Sequence, residues 1–167
     1  MDFSSLSQED LVKYVEFLMH SYRVMDAFWY INIEQRHGSE EANAINALVW
    51  GKTAQLAARD LKRRFGLTGG GLSDFVKALR FFPWTIIVGY DIQETGDEVI
   101  IEVASCPSQM ARLDRGLGEY ACQDMHRNEF ENFAREIDPR IKVECLFAPP
   151  DEHPPDKMCR WRFTLGE

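Results

Sequence analysis

The stretch RIKVECLFAPPDEHPPDKMCRWRFTL, residues 140–165, decides the class of fold. Ile141, Val143, Cys145 and Phe147 alternate with polar residues, and Cys159, Trp161, Phe163 and Leu165 do the same beyond a loop holding Pro149, Pro150, Pro154 and Pro155. A period of two lines up each set on one face of a strand, so the stretch reads as two strands with an apolar core side. Cys145 and Cys159 both fall on that side.

Working outward, residues 85–93 and 98–104 are also rich in β-branched residues, and Glu94, Thr95, Gly96 and Asp97 join them as a hairpin turn would. Between the two strand pairs, Pro107 to Arg115 reads as a short helix, Gly116 and Gly118 break it, and a second helix runs from about Met125 to Ile137. The first half is helical. Ser7 and Asp10 form a variant capping box, and Leu11, Tyr14, Val15, Leu18, Tyr22, Met25 and Trp29 recur at threes and fours until Gly38. Ser39 then caps a second helix carrying Ile45, Leu48, Val49, Leu56 and Leu61, which stops at Gly66. Thr68 to Gly71 is a loop, and Ser73 or Asp74 starts a short helix through Phe75, Val76, Leu79 and Phe82 that ends at Pro83. The glycine triplet has no Lys-Ser/Thr pair behind it and no strand before it, so it is not a phosphate loop. The whole is expected to be one α+β domain over residues 1–167, its N-terminal helices packed on a small antiparallel sheet.

Composition bounds the function. With 45% hydrophobic and 28% charged residues and no biased tract, the chain belongs with folded globular proteins. A net charge of −8 repels phosphate backbones and anionic lipid heads, which argues against nucleic acid and membrane as partners. Neither a signal peptide nor a spanning segment is readable, so a cytoplasmic location and reduced cysteines are expected.

The four cysteines are the strongest candidates for chemistry. Cys106, Cys122, Cys145 and Cys159 have 15, 22 and 13 residues between them, and none precedes them. If they converge at one end of the sheet, their thiolates suit a tetrahedral zinc ion or another thiophilic metal such as iron. The plainer alternative is four small apolar core residues. Cys106 before Pro107 sits where a helix starts, which would lower its pKa, and His126 and His153 are the candidate bases for a nucleophilic role. His153, with Asp151, stands in a stiff proline-rich loop beside Cys145 and Cys159, where the two could supply a metal ligand or a contact behind one, the alternative being a solvated loop. On the first helix Arg23, Asp26 and Trp29 form a polar and aromatic stripe suited to an anionic or ring-bearing ligand, the alternative being an Arg23–Asp26 pair beside a core tryptophan.

Several of these residues carry a resemblance. Cys106-Pro-Ser-Gln109, Arg112, Gly116 to Cys122, Phe130, Phe133, Ile137 to Val143, Cys145, Pro149-Pro-Asp151, His153-Pro154 and Cys159 to Phe163, together with Leu6, Ser7, Arg23, Asp26, Trp29 and Trp50, resemble an uncharacterised prokaryotic family of cytosolic proteins. More distantly, the C-terminal half resembles aminothiazoline-carboxylate hydrolase-like proteins and vinyl-reductase-type domains. The resemblance implies the ligand-binding fold of haem nitric-oxide sensors and transport-particle subunits. It also implies cysteine-held zinc near a small-molecule pocket, with Cys159 in the position of the last ligand. The resembled pattern has a further cysteine where this chain has Ala148, which shifts a ligand role to Cys106 or His153.

The expected function is a zinc-containing domain that binds a small organic ligand. Cys106, Cys122, Cys145, Cys159 and His153 are the metal ligands, Arg23, Trp29 and Arg112 the ligand-binding residues, and a homodimer or partner would transmit the signal. A first alternative is a hydrolase that opens a cyclic C=N bond, with Cys106 or a metal-bound water attacking and His153 or Glu119 moving protons. A second is a metal-free dimerisation or adaptor module.

Overall fold

A computed structural model describes residues 3–166. Two long helices come first: α1, Gln8–His37, and α2, Ser39–Phe65. The Ser7 hydroxyl oxygen accepts the Asp10 backbone N–H at 3.0 Å and caps α1 as expected. Between the helices stands one residue, Gly38, at φ 88°, its N–H donating to the Glu34 carbonyl at 2.9 Å and its carbonyl accepting the Ala42 N–H at 3.1 Å. That backbone conformation suits glycine alone, so Gly38 both ends α1 and caps α2. Ser39, expected as the cap, is instead the first residue of α2 and makes no side-chain cap.

Helix α2 owes its position to small residues. Ala42, Asn46, Trp50, Ala54 and Ala58 recur every four residues and are buried, with Gly51 beside them. Against this strip packs α6, Gln123–Ile137, whose Phe130, Phe133, Ala134 and Ile137 are buried on the core side. The approach is close: a Cβ on Gly51 would lie 2.5 Å from Asn128 Nδ2, which donates to the Ala47 carbonyl at 2.7 Å.

The sheet runs β1 (Asp91–Glu94), β2 (Glu98–Val103), β4 (Cys159–Leu165), β3 (Ile141–Phe147), antiparallel throughout. Register aligns Val99 and Val143 with Phe163, Ile101 and Cys145 with Trp161, and Val103 with Cys159. The alternation read in residues 140–165 is therefore the alternation of the core face. Helix α3, Gly71–Leu79, closes one end, with the Phe75 ring 4.7 Å from Phe163 and 6.0 Å from Phe133. Asp138, just past α6, ties this end together: it accepts the Gly71 N–H at 2.8 Å and the Arg140 guanidinium at 2.7 and 3.1 Å, which holds its carboxyl well below the usual range.

Three expectations are corrected. Residues 85–93 do not form one strand: Pro83–Val88 is a helical turn and a half, α4, ended by Gly89 at φ 76°, and only Asp91–Glu94 pairs. Pro83 is the first residue of α4 rather than the stop of α3, because a proline ring fixes the φ that a first helical residue needs. The β-branched Ile86, Ile87 and Val88 favoured a strand, but helical winding buries Trp84 against Tyr22 and Trp50, at ring distances of 6.0 and 5.3 Å. Tertiary packing overrides propensity there. The third helix begins at Gly71, two residues before the expected start. No helix among the described residues is long and apolar enough to cross a membrane.

Candidate functional site

Between α1, α2, α6 and the core face of the sheet lies a chamber of about 40 Å³, with room for about three water-sized spheres. Its wall is aromatic, with Trp50 and Trp84 edge to face at 5.3 Å on one side, Phe130 and Trp161 at 5.3 Å on another, and Tyr90 and Tyr120 completing it. Into this wall the helices insert carboxyls. Asp26 of α1 accepts the Trp50 indole N–H at 3.0 Å, and Glu129 of α6 pairs one oxygen with His126 Nδ1 at 2.8 Å. Burial raises the Asp26 carboxyl to about 6, with the Trp50 bond opposing, Glu129 adding to the rise and His126 opposing it.

Several polar atoms of this wall have no partner among the described residues. Glu129 Oε1, Asn46 Oδ1 and the Tyr90 hydroxyl are all buried without a hydrogen bond, whereas the Trp161 indole nitrogen has the Cys159 sulfur beside it. Glu129 is 1% exposed and Asn46 6%. Buried polar groups are normally satisfied, so three orphans around one small space leave its wall with unmet hydrogen-bonding capacity.

A larger cleft of about 300 Å³ lies alongside, between α1 and α5 (Pro107–Leu113), and shares Asp26, Asn46, Ser108 and Tyr120 with the chamber. Its lining is mostly apolar, from Val24, Phe28, Ile31 and Leu117, with Arg23, Arg112 and Arg115 at its polar positions. Arg112 is committed: it holds Glu34 at 2.9 and 3.1 Å and lies over the Tyr120 ring at 5.8 Å. Half-buried Arg23 has no hydrogen-bonded or ionic partner among the described residues, since Asp26 turns to Trp50 instead. The pairing of Arg23 with Asp26 weighed from the sequence does not form.

A model of the family of unknown function DUF6125 matches residues 4–165, nearly the whole chain. The chain belongs to that family. No curated protein matches it.

In this DUF6125 chain the four cysteines are free thiols near one end of the sheet, close enough for their charges to act on one another. Cys106, Cys122 and Cys159 line the chamber. Cys145 lies next to it, its sulfur 3.5 Å from Gln123 Nε2. Buried Gln109 holds the connection between α5 and α6 in place, donating to the Tyr120 carbonyl at 2.9 Å and to the Cys122 sulfur at 3.3 Å. Burial pushes the Cys122 thiol up to about 12 and raises Cys106, Cys145 and Cys159 as well. For Cys106 this reverses the expectation of an acidified thiol. It stands at the N-cap position of α5 without a side-chain cap, and desolvation outweighs the nearby N–H groups of Gln109 and Ser108.

Among the described residues no group of three or more His, Cys, Asp or Glu side chains comes together to hold a metal, and Ala148 is buried without offering a donor. His153 is outside the chamber wall, facing Glu119 at 3.3 Å with its Nδ1 3.1 Å from the Pro154 carbonyl, and these bonds raise its pKa. Trp29 is half exposed on the outer side of α1, away from both spaces. Arg23 and Arg112 do share the cleft. Sequence reading passed over Asn46, Tyr90 and Glu129; for Asn46 and Glu129 a polar residue on a helix face that packs inward was the one available signal, and Tyr90 lies in the connection before β1.

Proposed function

We propose that the chain is a small-molecule-binding domain whose ligand sits in the cleft with its anionic group at Arg23. The observation that supports this best is an uncommitted, half-buried arginine in an apolar-walled cleft of about 300 Å³, the lower end of the range for small-ligand pockets. In a chain of net charge −8, such an arginine gives a local attraction for an organic anion against the overall field. The apolar lining then takes the body of that anion.

Titration with benzoate and hexanoate, against their amides, tests the reading. The carboxylates are expected to bind saturably and to lose about tenfold in affinity in Arg23→Ala, the worth of one charge-assisted hydrogen bond. Ala111→Trp, which fills the cleft, abolishes binding. Equal binding of acids and amides, or affinity untouched by both substitutions, would sink it. Metal has no part in this reading. Elemental analysis is expected to find no stoichiometric zinc, and one equivalent lost in Cys122→Ala and Cys159→Ala would reverse that statement.

The outer side of α1 supports a homodimer as part of the same proposal. Leu11, Val15, Leu18, Tyr22, Met25 and Trp29 follow one another at fours and threes, the spacing of a helix-pairing seam. Tyr22 turns to Trp50 and Trp84, but the other five stay between 39% and 67% exposed, and no residue of α1 is buried. They present on the order of 500 Å² of apolar surface. A stable interface takes about 800 Å² per partner, roughly 60% of it apolar, so this seam supplies one protomer's share. A second copy offers the same seam without needing any further sequence.

A further inference from the structure

We propose that the inner chamber holds a small organic cation, a substituted ammonium or guanidinium group. This deepens the small-molecule reading above and rests on it. The chamber wall contains two carboxyls, Asp26 and Glu129, and neither lysine nor arginine. Its one nitrogen base, His126, is already on Glu129, so negative groups outnumber positive ones in a space closed to water on most sides.

A buried carboxylate needs a counter-ion or a proton, and the orphaned atoms say which way this one is arranged. All three, Glu129 Oε1, Asn46 Oδ1 and the Tyr90 hydroxyl, can accept hydrogen bonds, which an N–H cation supplies in quantity. Around these atoms stand the faces and edges of Trp50, Trp84 and Trp161, the ring type that attracts cations best. Arg127 already lies over the Trp161 ring at 6.0 Å, so this chain places a cation against that indole by itself.

Size narrows the class. About 40 Å³ accommodates two to four heavy atoms, which admits a head group and no more. The rest of the molecule extends past Asp26, Asn46, Ser108 and Tyr120 into the cleft. Such a ligand carries opposite charges at its two ends.

Guanidinium and urea, at millimolar concentration and far below denaturing levels, form the test, because they share shape and differ in charge. Tryptophan fluorescence of the full chain should report saturable guanidinium binding, at least tenfold tighter than urea, and methylammonium should exceed methanol in the same way. Asp26→Asn and Glu129→Gln should each weaken guanidinium at least tenfold, with folding checked by thermal melting. A readout on the unaltered chain guards against misfolded variants: affinity should fall as pH drops from about 7 to about 5 and Asp26 is protonated. The thiols and phenols of the wall are pushed upward and stay neutral over that range, and the other ionisable side chains facing the space are Asp26, Glu129 and His126. Equal binding of guanidinium and urea, no binding of either, or affinity unchanged by pH and by both substitutions would overturn the cation assignment. Carboxylate binding in the cleft would then still stand or fall on Arg23.

Discussion

Asp26 shows how one side chain joins stability to function. Its carboxyl is raised to about 6 in the fold against an ordinary value of 3.8. Below about pH 4 both folded and unfolded forms are protonated and the shift costs nothing; above about pH 6 the folded chain carries a charge that the unfolded chain holds more easily. The difference of roughly two units is worth about 3 kcal/mol. Asp26→Asn keeps an acceptor for Trp50 and should therefore stabilise the protein by several degrees near neutral pH, with the gain fading toward pH 4 in melting curves. The thiols make a second prediction at this scale. In native protein Cys145, at the rim, should react with maleimide well before Cys106, Cys122 and Cys159, whose burial suppresses the thiolate; equal labelling of all four would contradict that order. The residues themselves were partly legible: the cysteines, Arg23, Asp26 and Arg112 stand out by type and spacing. Glu129 and Asn46 did not, because only packing reveals that they have lost their water.

At the scale of elements, local rules read well wherever pattern and cap agree. The alternation in residues 141–147 and 159–165 gave β3 and β4 to within a residue, and Ser7 and Gly38 bracket α1 as read. The reading failed at α4, where β-branched composition pointed one way and the tryptophan cluster pulled the other. The contact of α2 with α6 offers a direct measurement of such a conflict. Gly51→Ala gains about 1 kcal/mol of helix propensity but displaces the Asn128 amide, losing its bond to Ala47 and straining the helix contact. The expected net is a loss of about 1–2 kcal/mol. In an Asn128→Ala background the same change should become stabilising, and a double-mutant cycle from urea unfolding reads the coupling.

For the whole molecule, the association of α1 with a second copy is the property to measure. Sedimentation velocity should show a dimer at tens of micromolar, converted to monomer by Met25→Glu combined with Trp29→Glu at unchanged helical content. A monomeric native chain would remove the dimer, and so would a dimer indifferent to those charges. None of this was decided by composition, which fixed the charge, or by periodicity, which gave the α+β class; neither says which helix face stays open. One connector adds a consequence. Because α1 is joined to α2 by the single residue Gly38 and has no fully buried residue, it is the element that should open first, at a free energy well below that of global unfolding. Yet it carries Arg23 and Asp26. Occupancy of the site should therefore be written into the amide exchange of α1: deuterium uptake there slows when ligand is bound, while α2 and the sheet, already protected, change little.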